Sequence, residues 1–235
     1  MTAHLSPPSD PSIPMPASAT TDRQQSGLAL ALRERTAPLH RQAERSGIVQ
    51  EILRGTASRH GYALYLRSML PAYQKMEQGL EQHRQMPGLR GIAEPDLYRS
   101  PAILRDLVAL SGTDWAHELQ LLPAAERYAR RVALAAEGDG TGLIGHAYTR
   151  YLGDLSGAQV LKRSLMRSPG LQPGMLAFYD FPAIPNLSDF KNAFRHALDA
   201  AANEIPDVEL VLIEAIWAFQ HNIDISEAVQ AVVTA

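Results

Sequence analysis

Cysteine is absent from all 235 residues. Disulfides, thiolate metal ligands and cysteine nucleophiles are thereby excluded, and any transition-metal chemistry must draw on histidine, carboxylate or tyrosine. An excess of charge of one sign is also missing: 22 basic against 25 acidic side chains leave a formal net charge of −3. With no long basic run either, nothing points to a nucleic-acid surface or a strongly cationic membrane patch. No stretch reaches the roughly 18 apolar residues of a membrane helix, and no hydrophobic tail precedes Ala235. The first residues lack both a basic and an apolar leader segment, so the expectation is a cytoplasmic protein without a membrane anchor. Alternating strand patterns are nearly absent, which leaves an all-α chain.

What the sequence does contain is a 46% hydrophobic composition, enough for one sizeable core. Residues 1–26 carry Pro7, Pro8, Pro11, Pro14 and Pro16 among Ser, Thr and Ala, and read as a disordered leader before a domain at 27–235. Leu28, Leu32, Leu39 and Ala43 mark a first helix that Gly47 would stop, with Pro38 expected to bend it or delay its start. Ser58 caps a long second helix to about Arg84, and a Gly/Pro-rich loop follows from Met86 to Pro95. Further helices are expected at Ser100–Leu110, Pro123–Ala136, Leu187–Glu204 and Pro206–Val233, giving a compact bundle of roughly eight helices.

One stretch organises the rest: Gly145 to Lys162, GHAYTRYLGDLSGAQVLK. Its apolar residues recur at helical spacing, yet Gly153 and Gly157 sit in its interior, each costing about 1 kcal/mol relative to alanine. Four residues apart, they share a face and bare a strip of backbone to a flat ligand or to a second helix. Arg150 and Asp154 form an i,i+4 pair beside that strip. Eight histidines compete as metal ligands. His40 is distinguished by the series Thr36, His40, Glu44, which sets a carboxylate one turn from the imidazole. His146 is its rival, but lies two turns before Gly153. That separation rises about 10.5 Å along a helix, so His146 cannot bind a metal that Gly153 approaches.

The run from His146 to Gln159 resembles the distal helix of the heme oxygenase family, HAYTRYLGDLSGGQ, at every position except Ala158. TAPLHRQAE, Thr36 to Glu44, is similar to that family's proximal pattern T-x-x-x-H-x-x-A-E. The resemblance spans about Leu28 to Val233 and implies a heme sandwiched between a proximal and a distal helix, with His40 as the axial iron ligand. It also implies that Gly153 and Gly157 pass close over the porphyrin, and that Asp154 holds water beside iron-bound oxygen, supported by Tyr73 and Arg150. The departure at Ala158 bears on flexibility of the distal helix. The segment FKNAFRHAL resembles the one whose Lys191 and Arg195 reach the heme carboxylates. Tyr148 and Arg33 are implied in the same task, and Phe219 and Asn222 match pocket residues. Taken alone, each of the cations reads first as part of a solvated basic face, and Phe219 could equally be ordinary core.

The activity so implied is oxygen- and reductant-dependent cleavage of heme at a meso carbon to biliverdin, CO and ferrous iron, with heme both substrate and cofactor. Its partners are heme, O2 and an external electron donor of ferredoxin or flavin-reductase type. Two other readings of the same residues are a heme carrier or sensor, which needs His40 but not Asp154, and a heme-free enzyme of the thiaminase-like group, which needs neither.

Overall fold

Leu28, Leu32 and Thr36, spaced four apart, are the buried residues of α1 (Leu28–Ala43), and their stripe packs against α10 (Val208–Val233). The computed structural model describes residues 27–235, so the leader expected at 1–26 lies outside the described residues. Pro38 stands within α1 on its exposed side and does not end it, because the carbonyl it leaves without a donor can be met by water. Leu39 and Ala43 are only half-buried.

Gly47 does not merely stop that helix but opens another, α2 (Gly47–Arg54), which the sequence pattern did not disclose. Its φ is +37°, and a Cβ there would stand 2.2 Å from the Ser226 carbonyl oxygen, so only glycine lets α2 come this close to α10. The Ser226 hydroxyl stitches the junction, accepting from Val49 N–H at 3.0 Å and donating to the Ser46 carbonyl at 2.8 Å.

The long α3 (Arg59–Gln82) starts at the expected cap, with Ser58 Oγ accepting the Gly61 N–H at 3.0 Å. It is buried over most of its circumference, against α4 (Ser100–Ser111), α6 (Pro123–Ala135) and α10. Between these lies the single turn α5 (Trp115–Glu118). The motif expected as one helix from Gly145 to Lys162 is divided: α7 (Leu143–Ala147), a π-helical turn at Tyr148–Leu152, then α8 (Gly153–Leu165). A π turn inserts one residue into the hydrogen-bond ladder and commonly marks a functional site. Asn186 caps α9 (Leu187–Ala201), and Asp207 caps α10 through the Leu210 N–H at 3.0 Å.

Buried Asp106 pins the turn before α9 by accepting the N–H groups of Ala177 at 2.7 Å and Phe178 at 2.8 Å. The described residues contain no strand and form one continuous apolar core, the all-α architecture expected. Two helices beyond the expected eight come from short segments, chiefly α2 and α5, whose one or two turns carry too few apolar residues for a periodic signal.

Candidate functional site

A cleft of about 720 Å³ opens between α1, the π turn with the start of α8, and α9. Its α1 wall presents Arg33, Thr36, Ala37, His40 and Arg41; the second presents Tyr148, Thr149, Leu152, Gly153 and Ser156; α9 adds Asn192, Arg195, His196 and Asp199, and α10 adds Phe219.

His40 projects from the fourth turn of α1 with its side chain 56% exposed, free to receive a ligand from the cleft. Its ring lies 5.8 Å from that of Phe219. Glu44 Oε1 stands 3.6 Å from His40 Nδ1, beyond hydrogen-bond reach, and Glu44 does not line the cleft. On the facing wall, a Cβ built on Gly153 meets nothing within 4 Å, so this glycine bares backbone to open space. Gly157 differs: its Cβ would come 3.0 Å from Leu161 Cδ1, and it is not among the lining residues. Ala158 is fully buried, so its methyl points away from the cleft into the core.

Behind Gly153 lies a polar knot that only the fold assembles. Tyr73 of α3 donates to Asp154 Oδ2 at 2.5 Å, while Arg150 donates to Asp154 Oδ1 at 3.1 Å, to the Tyr73 hydroxyl at 2.8 Å and to Asn222 Oδ1 at 2.6 Å. Asn222 is itself anchored to the Ala218 carbonyl at 2.7 Å. Asp154 is 5% exposed, so its pairing with Arg150 is no surface ion pair. Burial pushes the Asp154 carboxyl up, with Arg150 and the Tyr73 hydrogen bond acting in the opposite sense. Burial opposes the charge of Arg150, but Tyr73 and Asp154 outweigh it and keep the guanidinium firmly protonated. Burial raises Tyr73 well above the usual phenol range, so it stays a donor. Burial also raises the hydroxyls of Tyr65 and Tyr128, which the sequence reading did not assign to the site, and the charge of Arg150 lowers both. Both sit at ordinary apolar helix positions, so nothing in the sequence distinguishes them from core.

The expected cations separate. Burial raises the Tyr148 hydroxyl while Thr36 and the charges of Arg33 and Arg195 lower it, and all four residues line the cleft. Lys191 is only half-buried and does not line the cleft, whereas Asn192 and His196, neither of them anticipated, do. His146 is fully buried away from it: Nε2 meets Glu214 Oε2 at 3.1 Å, and Arg131 grips Glu214 at 2.9 and 2.6 Å. Burial pushes the His146 imidazole down, with Glu214 acting in the opposite sense.

The arrangement defines a class: a helical protein whose cleft can accept a flat ligand bearing a ligatable metal and anionic groups. An imidazole on one wall, bare backbone on another and clustered arginines fit a metalloporphyrin with carboxylates. The comparisons agree. Residues 26–228 match the family model "Heme oxygenase". The chain is 34% identical over 195 residues to heme oxygenase 1 of Synechocystis, covering 83% of this chain and 81% of that one. It is 32% identical over 217 residues to human heme oxygenase 1, covering 91% and 75%. Among solved structures, heme oxygenase from Leptospira interrogans superposes with a TM-score of 0.80 at 35% identity, covering 86% of this chain and 98% of that one. Synechocystis heme oxygenase-1 in complex with heme gives 0.81 at 32% identity, covering 88% and 94%. The chain belongs to the heme oxygenase family.

Proposed function

We propose that this protein is a heme oxygenase that uses O2 and reducing equivalents to open heme at a meso carbon, releasing biliverdin, CO and ferrous iron. The observation that carries the reading is the disposition of His40 and Gly153 on different walls of one cleft that Arg33, Tyr148 and Arg195 also line. When bound, heme supplies the iron at which oxygen is activated and the carbon skeleton that is cleaved.

The chain's own residues do the rest. His40 would hold the iron from α1 through its imidazole, a donor that, unlike a thiolate, does not drive O–O cleavage. Gly153 lets the α8 backbone approach the plate, excluding bulk water and restricting which edge is attacked. Arg33, Tyr148 and Arg195 orient the carboxylates, with Arg195 the leading cation and Lys191 supporting it from outside the cleft. Asp154 is buried and does not itself line the cleft, so it acts through water rather than by direct contact. Tyr73, Arg150 and Asn222 fix its carboxylate, and Tyr73 keeps a proton at Asp154 Oδ2. Phe219 packs beside the His40 ring. A heme carrier has no use for this buried knot, whose assembly costs the desolvation of two charges. Electrons come from an external ferredoxin-type or flavin reductase. No helix among the described residues is long and apolar enough to cross a membrane.

The test is to add heme to the purified protein, record the absorption spectrum for a histidine-ligated complex, then supply reductant and oxygen. Conversion to biliverdin with release of CO is expected; a stable heme complex under these conditions would mean a carrier.

A further inference from the structure

One hydrogen bond joins α1 to α9 among the described residues: the Ala29 N–H donates to Asp199 Oδ1 at 2.9 Å. The first turn of α1 has no side-chain cap of its own, since Gly27 precedes it, and its free N–H groups make that end electropositive. Asp199 supplies from another helix what an N-cap residue supplies locally. Gly27 makes room for it: a Cβ there would lie 2.3 Å from Asp199 Oδ1 and 2.7 Å from Oδ2. Asp199 also lies one turn beyond Arg195, and both line the cleft together with Ala29 and Arg33. The bond that caps α1 therefore fixes the distance between the helix bearing His40 and the helix bearing Arg195. Anchorage of α1 itself does not depend on it, because Leu28, Leu32 and Thr36 are buried and Arg35 pairs with Glu209 of α10.

We propose that Asp199 is a positioning residue, an interhelical latch that holds the α9 wall against α1 and so keeps Arg195 in register with the carboxylates of bound heme. The proposal rests on the heme reading above. Without the latch the cleft samples wider forms, and a ligand that fits only the closed one binds in proportion to the population of that form.

Three variants test it. In Asp199→Ala, the Ala29 amide of the heme-free protein should exchange faster. Heme affinity should fall about fivefold, the factor that loss of one helix-capping hydrogen bond carries. KM should rise more than kcat falls, and the mixture of biliverdin isomers should broaden. Asp199→Asn, whose side-chain oxygen accepts the same N–H, should restore all of these. Gly27→Ala should reproduce the defect with the carboxylate still present, and the double variant should be no worse than either single one. Unchanged affinity and isomer ratio in Asp199→Ala, with the wild type binding heme normally, would overturn the latch alone. So would an Asn variant as weak as the Ala variant, which would assign the effect to charge. Failure of the wild type to bind heme at all would instead overturn the heme reading and the latch with it.

Discussion

Tyr73 and Asp154, 81 residues apart in the chain, meet in a buried hydrogen bond of 2.5 Å. The phenol donates and the carboxylate accepts, so Asp154 is held at a fixed orientation behind the one glycine that faces the cleft. The Asp154→Ala variant should retain most of its heme affinity and its His40 ligation, yet lose about a hundredfold or more in biliverdin formation, as expected for removal of a positioned proton-handling group. Tyr73→Phe should lose less, because Arg150 still grips the carboxylate at 3.1 Å. Single-turnover absorbance spectra give the answer, and near-normal conversion in Asp154→Ala would sink the role assigned to it.

His40→Ala should bind heme without the native axial ligand and lose turnover, read from the Soret band and from the iron–histidine vibration. Should a histidine-ligated spectrum persist, His196 becomes the candidate to examine, since it too lines the cleft while His146 is locked against Glu214.

Gly153→Leu should fold with little change in melting temperature, because its side chain enters open space, and should abolish heme binding by filling the cleft. Gly157→Ala should be far milder, its Cβ meeting only the mobile end of Leu161. Heme titration of both variants beside their melting curves separates the two roles; equal loss of binding would mean that both glycines face the plate.

Arg195→Ala should weaken heme binding by about tenfold, the scale of a charge-assisted hydrogen bond to a carboxylate. Lys191→Ala should have a much smaller effect, consistent with its place outside the cleft. Calorimetric titration with heme ranks them directly, and the reverse order would relocate the carboxylates.

Burial pushes the Asp106 carboxyl up to about 6, although the N–H groups of Phe178 and Ala177 oppose the shift. The folded state then binds the Asp106 proton more tightly than the unfolded state does. Its contribution is largest below the unfolded carboxyl pKa of roughly 4 and declines as pH rises through about 6. Replacing Asp106 with Asn should flatten this decline in denaturant-unfolding stability between the two values, while costing stability overall because one N–H loses its acceptor. An unaltered pH profile would place the responsible titration elsewhere.

The sequence by itself determined the helical class, the long helices and the two motifs. Helical period and capping residues such as Ser58 act locally, and the interior glycines Gly153 and Gly157 were visible as a departure from an ordinary packed helix. His40 stood out in the sequence because its motif is continuous in one helix, and the fold brings it to the cleft wall. The tertiary structure decided what depends on segments meeting. It moved Gly47 from the end of one helix to the start of another, because the constraint on Gly47 comes from Ser226 in α10. It turned Arg150 and Asp154 from a pair on a helix surface into a buried knot closed by Tyr73 and Asn222, whose contributions come from α3 and α10. It also separated Arg195 from Lys191 and Gly153 from Gly157: residues four apart stand only roughly above one another on a helix, and a cleft wall can admit one of the pair and leave the other outside.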